Sequence, residues 1–252
     1  MKSIQDKLKE RFDICYVLNL SSRNDRRIHM ENQFKYLELE DINTSVWLRY
    51  HYSTLFKYND IIIKAFNSTN KGRFTKPNEF GCAREHYSIV RECYERGFSH
   101  CLIMEDDIKF LKDKDKFIEF IDQIPEDFDI IQFGGFTADP RCVNILNMYN
   151  EGKYWVKHKE CCIWNCSMYA LSRKGMAFYL AFMDKFFWVA DGPVYKAPLN
   201  DKLINTYICT LPLVIQLDKD IMTSDIRDTQ NDTINYKTQN IYESRVKKEN
   251  YF

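Results

Sequence analysis

Apolar runs that end in polar turns predict the strands of this chain. Residues Ile14–Leu20 form an almost continuous apolar run, which is typical of a strand buried on both faces of a sheet. Similar runs predict strands at residues 101–104, 130–133, 164–171 and 207–216, with a weaker candidate at 61–63. The region between residues 41 and 76 otherwise carries little periodicity, apart from a turn-like segment at 67–72.

Apolar positions at helical spacing predict helices between these strands. The clearest helix begins at Pro77 and ends before Gly97, where a C-terminal cap belongs. Its apolar face consists of Phe80, Ala83, Tyr87, Val90 and Tyr94. Further helices are predicted at residues 28–39, 115–123 and 173–187, the last with Ser172 as its N-cap.

The alternation of strands and helices predicts an α/β fold. We expect a Rossmann-like, mostly parallel central sheet flanked by helices in a single domain. The chain shows no internal repeat and no linker. We place the domain at residues 1–226, followed by a polar C-terminal tail at 227–252.

Composition narrows the class of partner. The 252 residues include 36 basic and 36 acidic side chains, and this balance argues against nucleic acid, whose binding needs a basic surplus. The nine cysteines are odd in number, and no secretory signal or run of about 20 apolar residues is visible. We therefore expect reduced thiols and a cytoplasmic location. Basic and aromatic residues in the tail indicate peripheral membrane contact.

Three consecutive acids follow the buried strand at residues 101–104. In an open α/β sheet, ligands bind beyond the carboxyl ends of the strands, so this position is the first candidate site. Glu105 and Asp107 are two residues apart and share a face of an extended chain, while Asp106 points elsewhere. Their oxygens suit Mn²⁺ or Mg²⁺, which would hold a diphosphate. The alternative is a solvated turn with helix-capping acids.

The end of the first strand carries a second polar cluster. Asn19 is followed by Arg23, Asp25 and Arg26, and the adjacent strand ends of such a sheet form one crevice. Arginine suits phosphate because its planar fork binds two oxygens. The alternative is an ordinary charged helix start.

Several segments together resemble glycosyltransferase family 25, which includes lipooligosaccharide and collagen hydroxylysine galactosyltransferases. They are residues 17–26 (VLNLSSRNDR), 79–86 (EFGCAREH), 102–107 (LIMEDD), 169–175 (YALSRKG) and 212–216 (PLVIQ), with 224–226 (SDI) beyond them. Asp191 falls where the family has Val-Asp after a helix. The matches keep the family's order across residues 14–226.

The resemblance implies a GT-A fold, a UDP-sugar donor carrying galactose or glucose, and inversion at the anomeric carbon. Glu105 and Asp107 would hold the metal, and Asp191 would be the general base, with an N-cap or metal-shell role as its alternatives. The implied donor-binding residues are Asn19, Leu20, Arg23, Asp25, Arg26, Gly81, His86 and Asp106. The acceptor would be a glycan, a glycolipid or a hydroxylysine.

The chain departs from the family's pattern at three places. Glu85 precedes His86 where the family has serine, and no Ala-Val-Asp-Gly segment occurs near residues 49–53. Gly192-Pro193-Val194 follows Asp191, where collagen-type members have Glu and Leu nearby. These changes bear on donor and acceptor choice more than on the reaction type.

Three other functions compete with this interpretation. A nucleotidyltransferase would show a glycine-rich loop after the first strand, which this chain lacks. A catalytically silent sugar-nucleotide-binding or scaffold protein would keep the same fold. A zinc module at Cys161, Cys162 and Cys166, with His158, is irregular in spacing, and buried thiols are the favoured interpretation there.

Overall fold

A computed structural model describes residues 2–40, 47–53, 77–135, 145–157, 165–186, 188–196, 203–217 and 250. Several predictions lie outside these residues: the strand at 61–63, the turn at 67–72, the segment 224–226 and nearly all of the tail. His158, Cys161 and Cys162, the residues of the alternative zinc module, are also outside them, whereas Cys166 is described and buried.

Strands and helices alternate along most of the described chain. The helices are α1 (Ile4–Arg11), α2 (Asn24–Tyr36), α3 (Pro77–Glu95), α4 (Lys114–Asp122), α5 (Ile145–Asn150) and α6 (Arg173–Phe186), with a π-helical turn at Gly192–Lys196. The strands are β1 (Ile14–Leu20), β2 (Leu48–Ser53), β3 (His100–Glu105), β4 (Ile108–Phe110), β5 (Ile130–Gln132), β6 (Trp155–Lys157), β7 (Met168–Ser172), β8 (Thr206–Cys209) and β9 (Val214–Gln216).

The central sheet has seven strands in the order β2-β1-β3-β7-β5-β8-β6. Strands β2, β1, β3, β5 and β8 run in one direction, whereas β7 and β6 run in the other. The predicted α/β class with a mostly parallel sheet is confirmed, and the reversed strands make the sheet mixed.

The segment predicted as one strand at residues 207–216 is two strands in different sheets. β8 belongs to the central sheet, whereas β9 pairs antiparallel with β4 in a separate two-stranded sheet. Between them Thr210 donates its backbone N–H to Tyr154 and Leu213 donates to Phe133, so the chain changes partner there. Pro212 lacks an N–H and suits this break.

Helices cover both faces of the sheet, and alternate strand residues face each layer. In β1, Cys15 and Val17 belong to one core cluster, while Ile14 and Tyr16 belong to the other. The first cluster takes in apolar residues of α1, α2 and α4, and the second takes in those of α3 and α6. This two-sided burial explains why the strands contain nearly continuous apolar runs.

The helix ends follow local capping chemistry. Gly97 has φ 81°, a left-handed conformation that glycine adopts easily, and it ends the turn after α3 as predicted. Ser172 Oγ accepts a hydrogen bond from the Gly175 N–H at 3.1 Å, which confirms it as the cap of α6. Helix α1 was not predicted, although Ser3 and Asp6 form a reciprocal capping box at its start.

Helix α2 begins at Asn24, four residues before the predicted start. Its first turn is polar, so the apolar spacing that signals a helix appears only from Ile28 onward.

Among the helices that the structure describes, none combines the length and the apolar character needed to span a membrane.

Gly175 tests the packing between α6 and the sheet. A Cβ atom there would overlap the carbonyl oxygen of Asp129, whereas at Gly97 it would meet nothing and suffer only backbone strain. We expect Gly175→Ala to lower the free energy of unfolding by about 3 kcal/mol and Gly97→Ala by about 1 kcal/mol in urea titrations. Helix propensity alone predicts that Gly175→Ala stabilises, and such a gain would contradict the packing.

Candidate functional site

The acidic motif and the first polar cluster lie at the same edge of the sheet. β1 pairs parallel with β3, and Leu18 stands opposite Glu105 in the register. Asn19 and the acids at 105–107 therefore come together at the carboxyl ends of neighbouring strands, where ligands bind in open α/β sheets.

Asp106 is the buried acid that links the end of β3 to β1 and α2. Its side chain accepts a hydrogen bond from Asn19 Nδ2 at 2.6 Å and another from Arg26 Nη1 at 2.8 Å. Burial raises the pKa of Asp106, and the charge of Arg26 opposes that rise. Asp106 thus has its charge balanced by the protein and faces β1 and α2.

Asp107 is less well compensated. Its Oδ2 atom lies 3.5 Å from Arg26 Nη1 and accepts a hydrogen bond from Gln216 Nε2 at 3.2 Å. Its Oδ1 atom is buried and has no hydrogen-bond partner among the described residues. Burial, followed by the negative charge of Glu105, raises the pKa of Asp107 to about 7.

Glu105 faces helix α3. Its Oε1 atom lies 3.3 Å from Nε2 of His86, whose side chain is fully buried. The other ring nitrogen of His86, Nδ1, is 3.0 Å from the hydroxyl of Tyr169 in β7. Cys82 lies one helical turn before His86, and its sulfur belongs to the same group of atoms.

Asp191 lies within electrostatic range of this group. Burial raises the pKa of Asp191 to about 6, opposed by a hydrogen bond from the Asn165 backbone, and the charge of Glu105 adds to the rise. Asn165 has φ 94°, an uncommon conformation for a residue other than glycine. The residue predicted as the general base therefore shares an environment with the acidic motif.

The remaining predicted donor-binding residues lie around this edge without joining the acids. Arg23 and Asp25 pair with each other, with Nη2 and Oδ2 2.8 Å apart, and the hydrogen bond from Arg23 lowers the pKa of Asp25 to about 2. Leu20 is half-buried at the end of β1. Gly81 is buried within α3, next to Cys82.

Four residues near the site were not predicted: Cys82, Asn165, Tyr169 and Gln216. Cys82 precedes His86 by four residues, so helical spacing placed both on one face. Tyr169 and Gln216 each lie in a segment that carries the family resemblance. Their contacts join strands and helices far apart in sequence, and a linear pattern contains no signal for such contacts.

The chemistry of these acids fits a divalent cation. Glu105 and Asp107 repel each other in a partly buried place, and Asp107 keeps an acceptor oxygen unsatisfied within the described structure. Oxygen ligands of this type suit Mn²⁺ and Mg²⁺, and a cation would remove the repulsion. Glu105 and Asp107 are thus the residues of this edge that a hard metal ion fits.

The raised pKa of Asp107 predicts a pH-dependent cost of folding. In the folded protein the pKa of Asp107 is about 7, above the ordinary 3.8. The contribution of Asp107 to the free energy of unfolding is therefore fully present below about pH 4 and is lost as the pH rises through 7. In chelator, we expect Asp107→Asn to stabilise the protein at pH 8 by on the order of 3 kcal/mol and to change it little at pH 4. Denaturant titrations at both pH values measure this difference.

The matched control for this experiment is Asp115→Asn, at an exposed position in the first turn of α4. We expect that variant to show no gain at pH 8. Equal effects of the two substitutions would show that Asp107 is not an incompletely compensated buried acid.

Comparisons with known proteins identify relatives of this chain. The model of glycosyltransferase family 25 (LPS biosynthesis protein) matches residues 12–187. Mouse inactive glycosyltransferase 25 family member 3 is 27% identical over 138 residues, which cover 51% of this chain and 23% of that protein. Human procollagen galactosyltransferase 2 is 29% identical over 137 residues, covering 49% and 21%. The chain thus spans about a quarter or less of the length of these relatives.

Among solved structures, the apo form of mouse xyloside xylosyltransferase 1 is similar at 7% identity and a TM-score of 0.32. That alignment covers 71% of this chain and 77% of the other. The family model, by contrast, takes in β1, the acidic motif and His86, and it matches well over half of the chain. The protein belongs to glycosyltransferase family 25.

Proposed function

We propose that this protein transfers a hexose, galactose or glucose, from a UDP-sugar to an acceptor hydroxyl with inversion, assisted by Mn²⁺ or Mg²⁺. The observation that carries the proposal is the incompletely compensated acid Asp107, which follows Glu105 at the carboxyl edge of the sheet. Family membership supports the transferase class. The sheet with helices on both faces is compatible with the GT-A type that we propose.

Glu105 and Asp107 would hold the cation in this proposal. When bound, the ion neutralises the charge that develops on the UDP leaving group. Asp106 has a different role, because its hydrogen bonds fix Asn19 and Arg26 at the edge where the donor would lie. Arg26 then presents a fixed positive charge close to both aspartates.

Asp191 is the proposed general base. Inversion by a single displacement requires one group to take the acceptor proton as the acceptor oxygen attacks the anomeric carbon. The new carbon–oxygen bond forms while the bond to UDP breaks, its electron pair leaves with the diphosphate, and the proton passes to the Asp191 carboxylate. A pKa of about 6 leaves this carboxylate ionised near neutral pH while keeping it a useful base.

The acceptor class follows the family's range. We propose a glycan, a glycolipid or a hydroxylysine hydroxyl, reached from the cytoplasm or by peripheral membrane contact. Since some relatives are named inactive, a catalytically silent protein that binds sugar nucleotides is the second candidate. Measurements of binding and turnover on the same samples separate the two.

Asp191→Asn tests the proposed base. UDP release is followed with a panel of UDP-sugars and acceptors in the presence of Mn²⁺. We expect kcat to fall by about 10² to 10⁴ with little change in the donor KM, because only proton transfer is lost. The control is Asp184→Asn. Asp184 lies in α6, outside the site, and accepts a hydrogen bond from the Tyr87 hydroxyl. An Asp191→Asn enzyme with unchanged kcat would exclude the assignment.

The pH dependence of turnover offers an independent check. Because Asp191 must be deprotonated to act, we expect kcat to rise about tenfold per pH unit below 6 and to level off above it. A wild-type profile that is flat between about pH 5 and 7 would show that another group takes the proton. Mn²⁺-dependent UDP binding without turnover on any acceptor would favour the silent protein.

A further inference from the structure

Beside the acidic motif lies a second group of metal-ligand atoms, of a different chemical type. Cys82 and His86 stand one turn apart on α3, and β3 ends opposite them in Glu105. The thiol sulfur, an imidazole nitrogen and a carboxylate oxygen all lie within 4.8 Å of one another. Metal–ligand bonds of about 2.0 to 2.3 Å allow one Zn²⁺ ion to span such a group after small side-chain adjustments.

The histidine is already oriented for this role. His86 is 0% exposed, and its Nδ1 atom is held 3.0 Å from the Tyr169 hydroxyl. This contact turns Nε2 toward Glu105 Oε1, at 3.3 Å. Histidines that bind metals nearly always use the second ring nitrogen in a hydrogen bond of this kind, which fixes the ring.

The surrounding charge also favours a cation. Glu105, Asp191 and Asp107 all act electrostatically on the Cys82 sulfur. Burial, followed by these charges, raises the pKa of the Cys82 thiol. A divalent ion at this place would reverse that effect and stabilise the thiolate.

We propose that Cys82, His86 and Glu105 form a binding site for a thiophilic divalent cation of the Zn²⁺ class. Thiolate and imidazole select Zn²⁺, whereas Mn²⁺ and Mg²⁺ prefer the all-oxygen surroundings of Asp107. Three protein ligands leave one tetrahedral position to water. Zn²⁺ binding would release the Cys82 thiol proton to water, and the His86 nitrogen that binds the ion would be unprotonated. The ion does not change oxidation state.

This site shares Glu105 with the hard-cation site proposed at Asp107 and differs from it in its other ligands, Cys82 and His86. It needs neither UDP-sugar nor turnover, so Zn²⁺ binding is expected even if the chain proves catalytically silent. The two proposals can therefore fail independently. Mn²⁺-dependent UDP binding and Zn²⁺ binding, both measured on the same samples, show which one has failed.

Cobalt substitution tests the site directly. Reduced, metal-free protein is titrated with Co²⁺, and we expect a thiolate-to-Co²⁺ charge-transfer band in the near ultraviolet, which one equivalent of Zn²⁺ removes. Cys82→Ser is expected to abolish the band. The control is Cys93→Ser, at a buried cysteine of the same helix that interacts with Cys101 and should leave the band intact.

A second variant covers the case in which Cys82→Ser does not fold, as judged by circular dichroism. Tyr169→Phe keeps all three ligands and removes the hydroxyl that contacts His86, which also forms a hydrogen bond with Tyr179. We expect it to retain the band and to weaken Zn²⁺ binding by about 10-fold to 100-fold. An unchanged affinity would contradict the proposed orientation of His86.

Two results would overturn the site itself. One is a Co²⁺ complex of the wild-type protein without a thiolate band. The other is a band that persists in folded Cys82→Ser but disappears in Cys161→Ser or Cys162→Ser. That result would assign the metal to the cluster of Cys161, Cys162 and Cys166 instead.

Discussion

Charge repulsion at the end of β3 is the constraint around which this edge of the molecule is arranged. Three acids follow one buried strand, and the protein compensates them unequally. Asp106 receives hydrogen bonds from Asn19 and Arg26, whereas Asp107 keeps an oxygen without a partner among the described residues. Burial and the charge of Glu105 raise the pKa of Asp107 to about 7. Carboxyl groups with pKa values perturbed in this way are typical of functional sites.

The fold supplies each acid with a different neighbour. β1 and α2 provide the groups that bind Asp106, and α3 provides His86 opposite Glu105. β9 brings Gln216 to Asp107 because its pairing with β4 sets Gln216 against Ile108. The separate two-stranded sheet therefore places Gln216 beside the candidate site.

Much of the framework was predictable because its signals are local. The bounds of β1 follow from one apolar run, and the ends of α3 and α6 follow from Gly97 and Ser172. The reversed strand β7 was not predicted, since strand order depends on pairing between distant segments. The candidate site shows the same division: the acids and Asn19 were predicted from strand ends. Gln216 contacts Asp107 and Tyr169 contacts His86, and no spacing in the sequence encodes these tertiary contacts.

In the proposed function, Glu105 and Asp107 bind a divalent cation that holds a nucleoside diphosphate. Isothermal titration calorimetry of UDP into the wild-type protein and Asp107→Asn, each with Mn²⁺ or with chelator, tests it most directly. We predict saturable binding by the wild-type protein in Mn²⁺ alone, and its loss in chelator and in the variant. Equal UDP affinity in chelator, or undiminished Mn²⁺-dependent binding by folded Asp107→Asn, would contradict the account.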